Sequence, residues 1–448
     1  MKRFRGTDYE ERSIENASRA FGYVYWPKLM DDRCYGDTML GDLLAGSAAA
    51  HPHGAEYVGH VQAMAKSIRD SIKALKRRHI SCVRLGASWA EADTPGGLSW
   101  MKWYFEEFSR AGFEILPCLN YTPARFATAR IERMRREAEG DLEHLKKIAE
   151  LQPLSNIPPE PLDAFADYVR DFIRMFGKYL RPGSHIELWN EPNINTDWNP
   201  EIDTDGRMFV DMLAPAAQIV RESGFKVLLG GLTKFIETLD WLERHGPLGV
   251  LDHADAVGFH ILRGTWSEKR PPQPLSERIA AIKATMRTFA DRDIPVFLDE
   301  VGFATLDLKL EVPQEELEEI QAALFADTFL ALADGSAAYA YWYSAEDKIV
   351  DSVRFITTGW EDILQYFFGD TDMEGNPKLL RTLLEQGGPI RVLEYIESRN
   401  AWDRAYEVID RGTPYDWSVE QLKSIVEQMK ALAHERTLRT APKKKEAA

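Results

Sequence analysis

The sequence predicts an α/β protein built around a parallel β-barrel, and three observations support this. Helical patterns such as residues 162–179 and 314–332 separate short apolar runs along the 448-residue chain. The runs are apolar almost throughout, as expected of strands that are buried on both faces. There are eight of them, at residues 20–26, 82–89, 113–123, 186–193, 226–232, 254–262, 294–303 and 337–344. Eight buried strands that alternate with helices favour a (β/α)8 TIM barrel.

Two additions to the barrel are predicted. The charged stretch 130–150 follows the third strand, and we expect it to be a helical insertion that forms a solvated face or a lid. Residues 388–440 carry apolar positions at helical spacing and predict a C-terminal helical extension. This leaves 15–387 for the barrel domain and 441–448 for a disordered tail. The extension packs on the barrel or forms a subunit contact, so a monomer and a homo-oligomer both stay open.

The charge balance argues against two classes of partner. Lys and Arg number 55 against 71 Asp and Glu, and a formal charge of −16 repels phosphate backbones and anionic membrane surfaces. We therefore expect no nucleic-acid partner and no membrane partner.

The two ends of the chain and its cysteines predict a cytoplasmic protein. The start, MKRFRGTDYEER, has no apolar segment behind its charges, so no secretory signal peptide is predicted in this sequence. The basic run 443–445 is too short to indicate a binding patch. Cys34, Cys82 and Cys118 are odd in number and widely spaced, which is typical of reduced thiols.

Polar residues collect at the ends of the predicted strands, whereas the starts of the strands carry few candidate functional residues. In parallel barrels the loops after the strands build the active site. The polar or aromatic residues at these ends are Asn120, Asn190, Glu191, His260, Glu300 and Trp342. The sequence therefore places a functional site at the C-terminal ends of the strands.

Two of these residues are carboxylates that suit the cleavage of a glycosidic bond. Glu191 precedes Pro192, which biases the chain toward a strand end, and Glu300 ends the seventh run. Glycosidases need one protonated and one ionised carboxyl group on either side of the scissile bond. Barrel closure would bring the two together, at roughly 5 to 5.5 Å for a retaining enzyme or roughly 6.5 to 9.5 Å for an inverting one. The predicted partner is a carbohydrate substrate.

The motif around Glu191 resembles clan A of the glycoside hydrolases, over roughly residues 15 to 385. Clan A barrels carry Asn-Glu-Pro at the end of the fourth strand and Glu at the end of the seventh, and Trp-Asn-Glu-Pro-Asn at 189–193 matches. Within the clan, IELWNEPN, FHI and DEVGF at 186–193, 259–261 and 299–303 are most similar to family 39, with its β-xylosidases and exopolysaccharide-cleaving relatives.

The resemblance assigns a role to each matching residue. It implies that Glu191 is the acid/base and Glu300 the nucleophile of a retaining mechanism through a covalent glycosyl-enzyme intermediate. Asn190 would face the sugar 2-hydroxyl and Arg84 would support the ionised nucleophile. His260 would be a site histidine and Trp342 a sugar-stacking tryptophan. The scheme needs no cofactor and no metal.

Other residues keep two interpretations. Asn120 lines the sugar site or caps a turn, and Trp198 and Trp266 lie in polar loops where they could stack on a sugar ring. His51 and His53 suggest a metal site, but no nearby Cys or carboxylate completes a ligand set, so we expect none. The interpretations of Asn120, of the two tryptophans and of the two histidines all depend on how these loops fold.

Strand alternation has two consequences at the site. It directs Asp299 to the face opposite Glu300, as a structural residue. It also lets Asn190 share a pocket with Glu191 only if a twist or bulge interrupts the alternation.

The leading functional hypothesis is a retaining glycosidase that acts on a β-linked or equivalent glycoside. A transglycosylase that uses the same intermediate, and a non-catalytic carbohydrate-binding barrel, are the alternatives. The sequence predicts neither the sugar and linkage nor whether cleavage is internal or terminal.

Overall fold

The computed structural model describes residues 11–405 with short gaps. The gaps are at 28, 30, 48–49, 139, 152, 264–274, 304, 306–311, 346–368, 373–375 and 403. Trp266, the tail and most of the predicted C-terminal extension lie outside the described residues.

Eight parallel strands form a closed barrel in chain order, with β1 paired to β8 through Gly22 and Tyr341. Each observed strand overlaps a predicted run, so the predicted (β/α)8 TIM barrel is confirmed. The strands are β1 (Phe21–Tyr25), β2 (Cys82–Ser88), β3 (Glu114–Asn120), β4 (His185–Leu188), β5 (Lys226–Leu232), β6 (Ala256–Arg263), β7 (Val296–Phe303) and β8 (Tyr339–Trp342).

Helices connect the strands and surround the barrel. They are α1 (Glu11–Ala20), α2 (Leu40–Leu44), α3 (Gly54–Arg77), α4 (Trp89–Ala92), α5 (Pro95–Arg110), α6 (Ala124–Glu137), α7 (Leu142–Ala149), α8 (Ala164–Phe176), α9 (Arg207–Glu222), α10 (Phe235–His245), α11 (Leu275–Arg287), α12 (Gln314–Ala333) and α13 (Leu379–Arg399). None of these helices combines the length and apolar character that a membrane crossing requires.

Aromatic packing shows why the outer helices form where they do. Helix α8 places Phe165, Val169, Phe172 and Phe176 on one face at helical spacing, and all four are buried. Phe105 of α5 contacts this face, with its ring centroid 5.6 Å from that of Phe172 and 5.0 Å from that of Phe176. Burial of each such side chain contributes roughly 1.5–3 kcal/mol.

The insertion after β3 is helical, as predicted, and consists of α6 and α7. Apolar side chains of the insertion form a small core together with Ile157, which follows α7: Ala127, Ile131, Ala138, Ile148 and Ile157. Asp141 caps α7 by accepting hydrogen bonds from two backbone N–H groups at 3.1 and 3.0 Å.

The described residues fall into two compact units. The first lies within 1–261, 273–301 and 328–342 and contains the barrel strands except for the last residues of β6 and β7. All the site residues described below belong to this unit.

The second unit lies within 262–272, 302–327 and 343–448. In it, Lys378 Nζ donates to Thr305 Oγ1 at 2.7 Å, next to the start of α13. Helix α13 is interrupted at Gly387 and Gly388, and Gly388 adopts a left-handed φ of 69° that favours glycine. The domain boundary expected at 387 coincides with this break and stays a prediction.

Candidate active site

Arg84 is the centre of a buried polar network at the C-terminal half of the barrel. It lies on β2 and is fully buried. Its Nε and one terminal nitrogen each bond Glu187 at 2.6 Å, and its other terminal nitrogen bonds Glu300 at 2.5 Å. It also donates to Asn190 Oδ1 at 2.6 Å. One guanidinium therefore joins strands β2 and β7 to Glu187 on β4 and to Asn190 just after β4.

Glu187 is a site residue that the sequence analysis missed. It lies inside the apolar run of β4 and is fully buried. Burial raises the pKa of its carboxyl group to about 7, and the bonds from Arg84 oppose that effect. A charged residue inside a buried strand needs a partner, and that requirement was the available signal.

The backbone leaves β-geometry immediately after β4. Trp189 has φ of 73° and Glu191 has φ of 40°, both in the left-handed region. This twist confirms that alternation is interrupted, and it lets Asn190 bond Arg84 while Glu191 lies at the same rim. Gly230 is required beside the twist, because a Cβ there would meet the Trp189 carbonyl oxygen at 1.7 Å.

Asp197 fixes the orientation of the Asn190 amide. Nδ2 of Asn190 donates to Asp197 Oδ2 at 2.5 Å, which leaves Oδ1 to accept from Arg84. The backbone carbonyl of Asp197 also accepts from Trp189 Nε1 at 2.9 Å. Burial, followed by the negative charge of Glu191, raises the pKa of Asp197 to about 8.

The two predicted catalytic carboxylates meet across the barrel mouth. Glu191 and Glu300 each have an oxygen within 4.8 Å of the other and of a His260 nitrogen. Their side chains are 17% and 10% exposed, so both reach the rim. Glu300 is bonded to Arg84, whereas Glu191 is bonded to Nδ1 of His260 at 2.7 Å. The two carboxylates thus have different partners.

His260 on β6 is buried between carboxylates. Its Nδ1 lies 2.7 Å from Glu191 Oε1 and 3.7 Å from Glu300 Oε2, and its Nε2 lies 3.7 Å from Asp299 Oδ2. Burial favours the neutral ring, but the charges of Glu300 and Asp299 outweigh burial and raise the pKa of His260 well above its usual value.

The expectation for Asp299 was wrong in one respect. Asp299 does not point away from the site, because its carboxylate faces His260. The register of β7 against β8 shifts between Leu298 and Val301, so strict alternation does not hold over Asp299 and Glu300. Gly258 makes the room for this side chain, since a Cβ there would lie 2.2 Å from Asp299 Oδ2.

Three residues that were predicted to contact the substrate, Asn120, Trp342 and Trp198, are all buried in the structure. Asn120 ends β3 fully buried, and its amide has no hydrogen-bond partner among the described residues. Trp342 ends β8 and is fully buried. Trp198 is 3% exposed, donates to Asp203 at 3.0 Å and packs edge-on against Trp189 and Phe209, so neither ring face is open to a sugar. Trp198 therefore packs in the core because its loop folds inward.

His51 has a carboxylate partner that sequence spacing did not reveal. Its Nε2 lies 3.1 Å from Asp37, and the hydroxyl of Tyr57 donates to the same carboxylate at 2.6 Å. The Tyr57 hydroxyl oxygen also lies 3.4 Å from the Cys34 sulfur, whose S–H can donate to it. These bonds hold the loop between β1 and α3 in place.

Among the residues that the structure describes, two sets of side chains are close enough to hold a cation by distance alone. They are Glu187 with His260 and Asp299, and Glu191 with His260 and Glu300. The guanidinium of Arg84 already bonds one carboxylate in each set. The expectation that the chemistry needs no metal stays a prediction.

Fold and site together define a class: (β/α)8 barrels with a pair of carboxylates at the ends of the fourth and seventh strands. No protein-family model and no curated protein matches the sequence. Solved structures do match. An exo-β-1,4-mannosidase from Opitutaceae bacterium strain TAV5 is 13% identical with a TM-score of 0.51, over 85% of this chain and 60% of that chain.

Two further structures align over similar lengths. The GH39 enzyme from Xanthomonas axonopodis pv. citri is 12% identical with a TM-score of 0.50, over 86% of this chain and 67% of that one. The virulence factor SghA from Agrobacterium tumefaciens is 10% identical with a TM-score of 0.50, over 85% of this chain and 99% of that one. At these identities the likeness establishes the fold.

Proposed function

We propose that the protein is a retaining glycoside hydrolase that cleaves a β-linked or equivalent glycosidic bond. Glu300 is the nucleophile and Glu191 the acid/base. The observation that carries the proposal is the approach of the two carboxylates to within 4.8 Å. Such a close approach of one oxygen from each group favours the arrangement of retaining enzymes, whose two carboxyl groups are about 5 to 5.5 Å apart, over that of inverting enzymes, which need about 6.5 Å or more to admit a water.

The partners of the two carboxylates support this division of roles. Arg84 donates a hydrogen bond to Glu300 and so orients the carboxylate that attacks as the nucleophile. Glu191 has no bond to that guanidinium and instead contacts a histidine that can exchange a proton with it. The two carboxylates therefore have the different partners that a nucleophile and an acid/base require.

The reaction follows in two displacements. In the first, an oxygen of Glu300 bonds the anomeric carbon while the glycosidic C–O bond breaks and its electron pair stays on the leaving oxygen, which takes a proton from Glu191. In the second, Glu191 removes a proton from water, the water oxygen bonds the anomeric carbon, and the bond to Glu300 breaks. Glu300 is released as a carboxylate and Glu191 is protonated again.

Asn190 is the residue that supports sugar recognition most directly. Its Oδ1 accepts from Arg84 and one N–H of Nδ2 is bonded to Asp197. The second N–H of Nδ2 is the donor that it can offer to the sugar 2-hydroxyl. The fold shared with an exo-β-1,4-mannosidase and a GH39 enzyme agrees with a β-linked carbohydrate as substrate.

The proposal is tested by comparing two carboxylates of the same barrel on a panel of aryl β-glycosides. Glu300→Gln should lower turnover by about 10⁵-fold or more, because it removes the nucleophile and keeps its shape. Glu114→Gln, at the first residue of β3, should leave turnover unchanged. Wild-type turnover by Glu300→Gln on a substrate that the wild-type protein cleaves would overturn the assignment.

A further inference from the structure

His260 is held between two carboxylates that come from different strands. Glu191 follows β4 and contacts Nδ1 at 2.7 Å, while Asp299 on β7 faces Nε2 at 3.7 Å. Gly231 on β5 leaves the space for the ring, because a Cβ there would lie 1.9 Å from Nε2. The ring is therefore fixed with one nitrogen toward each carboxylate.

Asp299 has no other evident task at the site. It is fully buried, and neither its oxygens nor Nε2 of His260 has a hydrogen-bond partner among the described residues, so their 3.7 Å contact is electrostatic. Arg84 bonds Glu187 and Glu300 but not Asp299. A buried carboxylate without a partner costs free energy, so the charge of Asp299 needs the His260 ring opposite it.

We propose that Asp299 is a positioning residue whose negative charge keeps the proton of the His260 ring on Nε2, so that Nδ1 and the Glu191 carboxyl group share the proton given to the leaving group. This inference rests on the proposed function, with Glu191 as the acid/base. It adds an Asp299–His260–Glu191 triad, here called the relay, with Asp299 on β7, His260 on β6 and Glu191 just after β4.

The proton balance of the relay is simple. Before cleavage, one proton lies between Nδ1 and Glu191, while Nε2 keeps its own proton toward Asp299. When the glycosidic bond breaks, the shared proton moves to the leaving oxygen, and the pair becomes more negative by one charge. In the second displacement, water returns one proton to the pair as its oxygen bonds the anomeric carbon.

The charges around His260 determine whether Asp299 makes the His260–Glu191 pair hold its proton more or less strongly. The groups that face it or act on it from neighbouring elements are Glu187, Glu191, Asp197, Asp299 and Glu300, with Arg84 offsetting the two that it bonds. The negative charge of Asp299 stabilises the protonated form of the His260–Glu191 pair. The raised pKa of His260 and the lowered pKa of Asp299, which His260 causes against the effect of burial, agree with this direction.

The kinetic test uses Asp299→Asn, which removes the charge and keeps the shape. The alkaline limb of the kcat/KM profile should move to lower pH by about one unit or more, because the pair then loses its proton more easily. Substrates with a poor leaving group should lose activity, while a dinitrophenyl glycoside, which needs no protonation, should not. Glu114→Gln is the matched control, and an unmoved limb in Asp299→Asn overturns the relay.

A second readout does not depend on activity. NMR titration of protein labelled with ¹⁵N-histidine follows His260, identified by its loss in His260→Gln. The relay predicts a lower titration midpoint in Asp299→Asn and, in the wild-type protein alone, a neutral ring with its proton on Nε2. An unchanged midpoint, or a neutral ring protonated on Nδ1, overturns it. If the NMR results agree but no glycoside is cleaved, the proposed function fails and the positioning role of Asp299 stands.

Discussion

The two ends of the barrel use charged residues in different ways. At the N-terminal end, Glu114 accepts from Arg181 at 2.9 Å and from the Tyr339 hydroxyl at 3.1 Å. Asp255 is likewise bonded to Arg221 at 3.0 Å and to a backbone N–H at 2.8 Å. Each acidic group there has its own donors, as a purely structural end requires.

At the C-terminal end the carboxylates outnumber the cations. Glu187, Glu191, Asp299 and Glu300 share Arg84 and His260. Keeping several carboxylates near one another is costly, and such charge clusters are typical of functional sites. Both ends of the barrel carry charged residues, but only at the C-terminal end do buried carboxylates outnumber their cationic partners. This imbalance, more than the presence of charge, distinguishes the candidate active site.

After Glu300→Gln, the largest effect is expected from Glu191→Ala, also at the C-terminal end. Turnover of substrates with poor leaving groups should fall by about 10²- to 10⁴-fold, because general acid catalysis is lost. With an activated substrate such as a dinitrophenyl glycoside, whose glycosidic bond breaks without acid assistance, added azide should restore turnover and give a glycosyl azide of retained configuration, since azide needs no general base. An azide product of inverted configuration would exchange the roles of Glu191 and Glu300.

Arg84→Met should cause the next largest effect, this time on stability. It leaves Glu187 buried without its cation, and loss of one partner of a buried ion pair costs about 3–5 kcal/mol of unfolding free energy. Urea denaturation measures this loss. The double variant Arg84→Met with Glu187→Gln should recover part of it, and simple additivity of the two changes would contradict the pairing.

The two ends should also differ in how a histidine responds to pH. Burial lowers the pKa of His185, the first residue of β4, to about 4, below the unfolded value of about 6.5. The unfolded chain then binds more protons between these values, so this contribution is present above pH 6.5 and is lost as pH falls toward 4. The wild-type unfolding free energy should therefore fall between pH 7 and 5, and in His185→Gln this fall should be smaller by up to about 2 kcal/mol. An unchanged pH dependence in the variant would contradict the lowered pKa of His185.

Glu114→Gln should have the smallest effect. Its pair with Arg181 is partly exposed, so the unfolding free energy should change by less than about 1 kcal/mol. The kcat/KM value should stay within about twofold of wild type, as measured on the substrate used for Glu191→Ala. A large loss of activity would mean that the N-terminal end is not merely structural.

The barrel and its two principal carboxylates were predictable from sequence because their signals are local. Apolar runs define the strands, and Pro192 after Glu191 indicates a strand end nearby, which the structure places at Leu188. Glu187 and the true facing of Asp299 were not predictable, because the first depends on a partner brought near by barrel closure and the second on a register shift in β7. Trp198 was misjudged because a polar loop sequence does not show that the loop folds inward.

The central claim is that Glu300 forms a covalent bond with the sugar while Glu191 exchanges the proton. Its most direct test is mass spectrometry of the intact protein after incubation with a panel of activated 2-deoxy-2-fluoro glycosides, followed by peptide mapping. If Glu300 is the nucleophile, we expect a single glycosyl adduct on Glu300 in the wild-type protein and none in Glu300→Gln. An adduct on another residue, or cleavage without an adduct and with inverted products, would contradict it.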